Sequence, residues 1–309
     1  MVCVFSFTLF GSADKYCKGL LRNIELIQKE FPDFQTWVYI GNDVPAHILN
    51  QVQASPNVKC IFTGEVGLVN KLYRFFAIDE PEVDVMFVRD VDSRVLKRDI
   101  STIHDFLSSD KKFHIVRDHP NHFHKIMACS FAIRKGLLAV PLKSIFDEYR
   151  LTNEVNTFWN DQEFLASVFW PVVLPYAMVH DDLHDFEPYS MKTPIKEPIG
   201  DALHFIGQVY EFDEAANEYP KFTDFFEGGV HGTSFFTQEK LERLGICSIP
   251  IEPQKLNLFI QIFQHRPKEN DTQERKGKLD YRNKEFEQCF VTNTKQEFIQ
   301  KLFIFYEEV

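Results

Sequence analysis

An apolar segment that ends in two closely spaced carboxylates is the feature that most constrains this chain. Residues 83–88 are nearly all large apolar or β-branched, which is typical of a strand covered on both faces. Asp90 and Asp92 follow at alternate positions, where both side chains can reach one Mg²⁺ or Mn²⁺ ion through oxygen ligands. Arg89 and Arg94 flank the pair and fit a polyanionic ligand. A solvated turn is the competing interpretation.

Length and charge limit the class of protein. The chain has 309 residues, 44% of them hydrophobic, which is enough to bury a large core. Asp and Glu number 45 against 34 Lys and Arg, so the net charge is −11. That charge argues against nucleic acid or an anionic membrane as the main partner. An anionic ligand must therefore be bound locally, by a metal and a few arginines.

Cysteine spacing and the N-terminal segment bear on localisation. The six cysteines are scattered and include no Cys-x-x-Cys pair, so we expect reduced thiols rather than a zinc site or a disulfide framework. The apolar run 2–10 has no basic residue before it and turns polar at residue 12, which favours a core strand over a signal peptide or membrane span. We therefore expect a cytoplasmic protein without membrane insertion.

Strand and helix patterns alternate through the first half of the chain. Strands are predicted at residues 2–7, 37–40, 58–62 and 83–88, and helices at residues 12–30, 44–53 and 70–78. This order predicts parallel βαβ units and hence an α/β fold with a mostly parallel sheet between helices. Such sheets bind ligands beyond the C-terminal ends of their strands, which is where Asp90 and Asp92 lie.

The second half has a more mixed pattern. We predict a helix at residues 103–107, strands at 113–117, 127–133 and 202–206, a helix that opens at Asp161, and a terminal amphipathic helix at 295–306. Residues 172–178 form an apolar segment that leads into His180-Asp181-Asp182.

The order of these motifs resembles that of metal-dependent GT-A glycosyltransferases. The matching motifs are Asp90-Val91-Asp92 at a strand end, Asp161-Gln162 at a helix start and the late His204-Phe205-Ile206-Gly207. The block at residues 89–94, followed by 114–120, is similar to capsid-glycan glycosyltransferases of the chlorella viruses, large DNA viruses of algae, and to bacterial relatives. The resemblance covers residues 1–215, and xylose is the sugar that it suggests.

The resemblance implies a fold, a domain arrangement and an activity. It implies a GT-A, Rossmann-like domain at residues 1–240, with a nucleotide-sugar half at 1–100 and an acceptor half at 101–240. Residues 241–309 are then an α-rich C-terminal extension packed on the same domain. The implied reaction moves a sugar from a UDP-sugar to a hydroxyl of a glycan or glycoprotein acceptor, such as a viral capsid N-glycan made in the host cytoplasm.

The resemblance also implies a metal site. In these enzymes Mn²⁺ or Mg²⁺ bridges the two phosphates of the donor and stabilises the departing diphosphate as a Lewis acid. Asp92 matches the carboxylate that contacts the metal directly, and Asp90 the one that reaches ribose or metal through water. His204 matches a third ligand, although a hydrogen-bonded core histidine explains it equally well. Gly207 lacks the Lys-Pro-Trp continuation of the best-known families with this histidine, so phosphate contacts from that loop stay open.

Donor contacts are implied for residues after the first strand, on the helix at 70–78 and at the end of the strand at 113–117. They are Phe7, Thr8, Leu9, Lys71, Arg74, Asp90 and Arg117. Lys71 and Arg74 lie one helical turn apart, and a guanidinium can bind phosphate or ribose oxygens through two parallel hydrogen bonds. The competing interpretation is core packing for residues 7–9, a solvated helix face for Lys71 and Arg74, and a polar loop for Arg117.

Catalytic roles are implied for Asp161 and Asp118, and acceptor contacts for His119, Gln162, His180 and Asp181. Asp161 is the predicted general base, a role that contributes roughly 10² to 10⁴-fold in rate. A helix cap at Asp161 or Asn160 is its alternative role. A polar loop at 117–119 and a charged turn at 180–182 would explain the other residues.

Two further functions are compatible with the sequence. A metal-dependent nucleotidyltransferase or phosphohydrolase would use the same carboxylates, but a second, water-activating metal would need another acidic cluster. A non-catalytic nucleotide-sugar-binding or glycan-binding protein would bind its ligand without turnover.

Overall fold

The computed structural model of the chain describes residues 1–119, 122, 124–182, 186–194 and 205–220. His204, the predicted extension at 241–309 and its terminal helix at 295–306 lie outside these residues. The predicted domain boundary at residue 240 also lies outside them and stays a prediction.

The described residues form a seven-stranded sheet at the centre of the fold. Its strands are β1 (Cys3–Leu9), β2 (Gln35–Ile40), β3 (Val58–Phe62), β4 (Val85–Arg89), β5 (Phe113–Arg117), β6 (Ser130–Arg134) and β7 (Ala177–Asp181). Their order across the sheet is β3-β2-β1-β4-β6-β5-β7. Strand β6 is antiparallel to both neighbours, whereas all other pairs are parallel. The predicted α/β fold with a mixed, mostly parallel sheet is confirmed.

Helices cover both faces of this sheet. They are α1 (Asp14–Glu30), α2 (Ala46–Ala54), α3 (Asn70–Tyr73), α4 (Lys97–Ser108), α5 (Leu142–Tyr149), α6 (Asn160–Phe164) and α7 (Trp170–Val173). A π-helical turn, Leu165–Phe169, joins α6 to α7, and 3₁₀ turns occupy Phe76–Asp79 and Leu174–Tyr176. None of the described helices is both long and apolar enough to span a bilayer.

Two apolar cores sandwich the sheet because successive side chains of each strand point to opposite faces. In β1, Val4 belongs to one core, while Phe5 and Phe7 belong to the other. The Phe5 ring lies 5.5 Å from that of Phe31 and 5.4 Å from that of Phe87. Burial on both faces explains why the strands have continuous apolar sequences rather than alternating ones.

Several predicted elements differ from the observed ones. The helix predicted at 70–78 is broken after Tyr73, and the 3₁₀ turn that follows buries Phe76, Ala77 and Ile78 in the core. Such a continuous apolar run fits no single helix face. The predicted strand at 202–206 is a turn at its described residues, 205 and 206. A hairpin of β8 (Tyr210–Phe212) and β9 (Glu218–Pro220) was not predicted.

The topology brings the predicted ligand-binding segments to one edge of the sheet. Strands β1, β4, β5 and β7 all run in the same direction. Their C-terminal ends therefore lie together, with Asp90 and Asp92 after β4 and Arg117 at the end of β5. This placement confirms the expectation that these residues share an edge.

Arg89, the last residue of β4, is part of the core rather than a free cation at this edge. Its guanidinium donates two hydrogen bonds to Asp99 of α4, at 2.8 and 2.6 Å, and both side chains are fully buried. It also donates to the carbonyls of Val88 and Phe131. The expectation that Arg89 serves a polyanionic ligand is wrong, because its donors are used within the protein.

Removing one partner of this buried pair should be far more damaging than removing one partner of an exposed pair. We expect Asp99→Ala to lower the free energy of unfolding by about 3–5 kcal/mol, since it leaves a buried guanidinium uncompensated. Asp147→Ala, which breaks the exposed Lys143–Asp147 pair, should cost less than about 1 kcal/mol. Urea unfolding followed by circular dichroism measures both values, and equal losses would contradict the structural role of Arg89.

Candidate functional site

The loop that carries Asp90 and Asp92 is a tight turn held against α1. The backbone N–H and the hydroxyl of Ser93 both donate to the carbonyl of Asp90, at 3.2 and 2.9 Å. The buried side chain of Asn23 in α1 donates to the carbonyls of Val91 and Ser93, at 3.2 and 2.7 Å. The side chains of Asp90 and Asp92 are therefore presented from a fixed backbone.

Arg94, the second flanking arginine, also stabilises this loop. It donates to the carbonyls of Val91 and Ser93, at 3.2 and 2.6 Å, and it forms an ion pair with Glu218 of β9. Its guanidinium lies 5.1 Å from the ring centre of Tyr210. The expectation of a polyanionic ligand at Arg94 is therefore wrong as well.

A buried arginine joins the aspartate pair to the Asp161 segment. Arg74 Nη1 lies 2.6 Å from Asp90 Oδ1, and its Nη2 lies 3.0 Å from Asp161 Oδ2. Lys71 Nζ lies 3.6 Å from Asp161 Oδ1. Burial lowers the pKa of Arg74, but the Asp90 and Asp161 carboxylates outweigh burial and raise that pKa above its ordinary value. Arg74 is thus not on a solvated helix face.

The negative charge of Asp92 is less well balanced by nearby cations than that of Asp90. Burial, reinforced by the neighbouring Asp90 carboxylate, raises the pKa of Asp92 to about 6. Its ion-pair partner is Lys15 of α1, whose Nζ lies 4.0 Å from Asp92 Oδ2. Sequence reasoning missed Lys15, although its position in the first helix after β1 places it at the same sheet edge.

These residues fit a hard divalent cation. Two carboxylates repel each other at the strand end, and a cation that takes oxygen ligands would offset that repulsion. The Asp90 side chain is 35% exposed, so a cation can reach it from solvent. Among the residues that the structure describes, no three His, Cys, Asp or Glu side chains form a metal-binding group. The predicted third ligand, His204, is not among them.

The segment after residue 204 packs directly on the aspartate loop. The backbone N–H of Tyr210 donates to the carbonyl of Asp92 at 2.7 Å, and that of Ile206 donates to Asp118 Oδ2 at 3.0 Å. The Phe205 ring stacks on His119 with ring centres 3.8 Å apart. Residues 205–210 therefore lie beside the aspartate loop, whereas a shared metal site of His204 and the aspartate pair stays a prediction.

Asp118 and His119 are both buried at the end of β5. Asp118 accepts the Ile206 bond described above, lies 3.3 Å from His122 Nδ1 and lies 3.8 Å from Arg98 Nε. These contacts hold the late segment in place. The catalytic role implied for Asp118 and the acceptor role implied for His119 stay predictions.

Arg117, Asp181 and His180 lie in buried networks. Arg117 pairs with Asp181 at 3.0 Å and with Glu187, and it donates to the carbonyl of Lys125 at 2.6 Å. These contacts occupy the guanidinium nitrogens of Arg117 that would have to donate hydrogen bonds to a donor sugar. Its predicted donor contact therefore requires a rearrangement.

His180 faces the interior between β5, β7 and α4. Its Nδ1 lies 2.8 Å from Nε2 of the buried His114, and its Nε2 lies 3.3 Å from Asp105 Oδ2. Burial lowers the pKa of both imidazoles. The structure thus places the predicted acceptor residue His180 in a buried histidine pair.

Asp161 and Gln162 open α6 without capping it. The N-cap is Trp159, and no side chain forms a cap hydrogen bond there. Asp161 is therefore not the N-cap residue, although its Oδ1 accepts a hydrogen bond from the backbone N–H of Gln162 in the first turn, at 3.0 Å. The same carboxylate also lies beside Arg74 and Lys71. The side-chain amide of Gln162 is oriented so that its nitrogen donates to the carbonyl of Ile126 and its oxygen accepts from the N–H of Ala128.

Residues 7–9 lie within β1 rather than after it. Phe7 and Leu9 are fully buried core residues, which is the competing interpretation made from the sequence. Thr8 lies beyond the part of β1 that pairs with β4. Its buried hydroxyl has no hydrogen-bond partner among the described residues, and the predicted donor contact of Thr8 stays a prediction.

The comparisons with known proteins give distant structural likenesses only. The sequence matches no protein-family model and no curated protein. A glycosyltransferase involved in the glycosylation of the major capsid of PBCV-1 has 17% identity and a TM-score of 0.41, with 59% of this chain and 82% of that chain covered.

Two further solved structures show a similar degree of likeness. The mannosyltransferase PcManGT from Pyrobaculum calidifontis, in complex with GDP-Man and Mn²⁺, has 11% identity and a TM-score of 0.40, with 59% of this chain and 55% of that chain covered. The 4-diphosphocytidyl-2C-methyl-D-erythritol synthase from Anaerococcus prevotii has 13% identity and a TM-score of 0.36, with 53% and 82% covered. Because these TM-scores lie below 0.5, we infer nothing about activity from them.

Gly207 tests how tightly the late segment must pack. Its φ is +85°, and a Cβ there would lie 2.8 Å from Cys129 Sγ. We expect Gly207→Ala to cost about 1–2 kcal/mol of unfolding free energy from left-handed strain and roughly 1–3 kcal/mol more from the clash. Gly136→Ala, with φ +81° and nothing within 4 Å of its Cβ, should show the strain alone.

A double variant separates the two causes. Adding Cys129→Ala to Gly207→Ala should restore the stability lost to the clash, but not the stability lost to backbone strain. The restored part appears as a coupling energy in a double-mutant cycle. Equal costs for the two glycine variants without any coupling would show that the late segment does not pack as described.

Proposed function

We propose that the protein is a GT-A glycosyltransferase that moves a sugar from a UDP-sugar to a hydroxyl of a glycan acceptor. The observation that carries this proposal is the bridge through Arg74, which places the Asp90 and Asp161 carboxylates on either side of one guanidinium. A donor-binding motif and a candidate acceptor-binding residue are thereby held in one site at the C-terminal edge of the sheet.

The donor half of the site would hold the diphosphate. Asp90 and Asp92 would bind Mn²⁺ or Mg²⁺, with His204 as a third ligand. When bound, the ion neutralises the negative charge that grows on the departing diphosphate. Lys15 and Arg74 supply the nearest cations of the described protein, and both are oriented by the aspartates themselves. Thr8, whose hydroxyl has no hydrogen-bond partner among the described residues, would contact the nucleoside.

The acceptor half would be organised by Asp161. The bond between the anomeric carbon and the diphosphate oxygen breaks, and the acceptor oxygen forms the new bond to that carbon. Asp161 would accept a hydrogen bond from this hydroxyl, orient it and take its proton, a contribution of roughly 10² to 10⁴-fold. Arg74 and Lys71 hold the carboxylate in place, at 3.0 and 3.6 Å.

The finer assignments follow the resemblance in sequence. We propose xylose as the donor sugar, a viral capsid N-glycan as the acceptor and the host cytoplasm as the location. Contacts of Arg117, Asp118 and His119 with the donor sugar, and of Gln162, His180 and Asp181 with the acceptor, belong to the same proposal. Because most of these side chains are buried and paired within the protein, such contacts would require them to exchange their present partners.

Metal-dependent nucleotidyl transfer or phosphate hydrolysis remains the second candidate, because it would use the same aspartates. It needs a second acidic cluster to activate water, in addition to Asp90 and Asp92. A binding protein without turnover is the third. The three functions differ in the products that they release from a nucleotide sugar.

A donor screen tests the proposal. With Mn²⁺ and a saccharide acceptor, we expect nucleoside diphosphate to be released from UDP-sugars but not from GDP-sugars. UDP-sugars with Mn²⁺ should also raise the melting temperature, since a ligand that binds the native state stabilises it. Chelation or Asp92→Ala should abolish both effects. Asp33→Ala, an exposed carboxylate between α1 and β2, is the control and should retain both.

The products distinguish the candidates. Release of nucleoside monophosphate or of inorganic phosphate would favour the second candidate, and stabilisation without any product would favour the binding protein. Either result would contradict glycosyl transfer.

A further inference from the structure

Two large aromatic side chains are exposed immediately before α6, whose second residue is Asp161. Phe158 is 62% exposed and Trp159 is 52% exposed. A single exposed aromatic residue is common on protein surfaces, but adjacent ones beside a polar site indicate a binding surface. We call these two residues the aromatic corner.

Lys71 fixes the aromatic corner relative to the proposed active site. Its Nζ donates to the carbonyl of Phe158 at 2.7 Å and lies 4.6 Å from the centre of the Phe158 ring. The same Nζ lies 3.6 Å from Asp161 Oδ1. One side chain therefore connects the exposed rings to the carboxylate that Arg74 joins to Asp90.

The arrangement of the rings limits the chemistry of the ligand. The ring centres of Phe158 and Trp159 are 4.9 Å apart and their planes meet at 89°. A planar base that inserts between two rings needs them to be parallel, so this corner cannot sandwich a nucleobase. The net charge of −11 also disfavours a polyanionic ligand.

A sugar ring matches the corner better. One face of a pyranose carries several C–H groups that pack on an aromatic face, and its hydroxyls project sideways to polar groups. At the aromatic corner those polar groups are Lys71 and Asp161 on one side, while the His124 ring lies 5.7 Å from that of Trp159 on the other. Perpendicular planes suit a chain of two or more sugars, which turns at each glycosidic bond.

We propose that Phe158 and Trp159 form the platform on which the saccharide acceptor stacks. The role of the saccharide as acceptor rests on the proposed function, whereas saccharide binding rests on the aromatic corner alone. A sugar stacked there would lie beside Lys71, whose Nζ contacts both Phe158 and Asp161. The chemical class of the ligand is a neutral oligosaccharide.

Saturation-transfer NMR tests binding without any donor or metal. The probes are xylotriose, maltotriose and cellotriose, each mixed with the full chain. We expect saturation transfer to ring C–H protons of at least one saccharide in the native protein. Phe158→Ala/Trp159→Ala should abolish it, and Trp159→Phe should retain it because a ring is kept. Tyr176→Ala removes an equally exposed aromatic, 52%, before β7 and should change nothing.

Kinetics test whether the bound saccharide is the acceptor. With a saccharide that binds, each alanine substitution should raise its KM by about tenfold, the equivalent of roughly 1.4 kcal/mol for a lost stacking contact. Tyr176→Ala should leave KM unchanged. Saturation transfer to none of the three saccharides, or equal saturation transfer in the native protein and the double variant, would overturn the platform.

The two proposals fail in different ways. Saccharide binding that depends on the aromatic corner, without nucleoside diphosphate release from any donor, supports the platform and contradicts the proposed function. Diphosphate release with an acceptor KM that is the same in native and double-variant protein supports the proposed function and overturns the platform.

Discussion

The site depends on a single buried guanidinium. Arg74 lies in the interior, where an unpaired charge would cost several kcal/mol, and it is balanced by Asp90 on one side and Asp161 on the other. Arg74 and Asp161 are 87 residues apart in the chain. One guanidinium therefore lies between a carboxylate of the loop after β4 and a carboxylate of α6.

The sheet topology makes this bridge possible. Parallel β1, β4, β5 and β7 bring their C-terminal ends to one edge, and α3 delivers Arg74 to that edge. Arg89 and Arg94 then stabilise the aspartate loop from within, through Asp99 and Glu218. The cations next to Asp90 and Asp92 therefore serve mainly to build the site, and in the proposed function a metal would supply the remaining positive charge.

Local patterns in the sequence predicted much of the fold. The strands at 58–62 and 113–117 have the predicted bounds, because their apolar runs end at polar or turn residues. The edge location of Asp90 and Asp92 followed from the continuous apolar strand before them. The broken helix at 70–78 and the hairpin of β8 and β9 were not predicted, because long-range packing rather than local pattern decides them.

The individual roles of charged residues were harder to predict than their location. Ligand contacts were predicted for Arg89, Arg117 and His180 because a sequence shows an ionisable side chain but not its partner. Their partners Asp99, Glu187 and His114 lie between 10 and 70 residues away. Lys15 was missed for the opposite reason, since an ordinary lysine in an amphipathic helix carries no local signal.

A crystal structure with Mn²⁺ and UDP is the most direct test of the central claim. We expect the ion to be bonded to Asp92 and to both phosphates, with Arg74 still between Asp90 and Asp161. Nucleotide bound elsewhere, with the Asp90 and Asp92 carboxylates facing solvent and no ion between them and the diphosphate, would contradict the account.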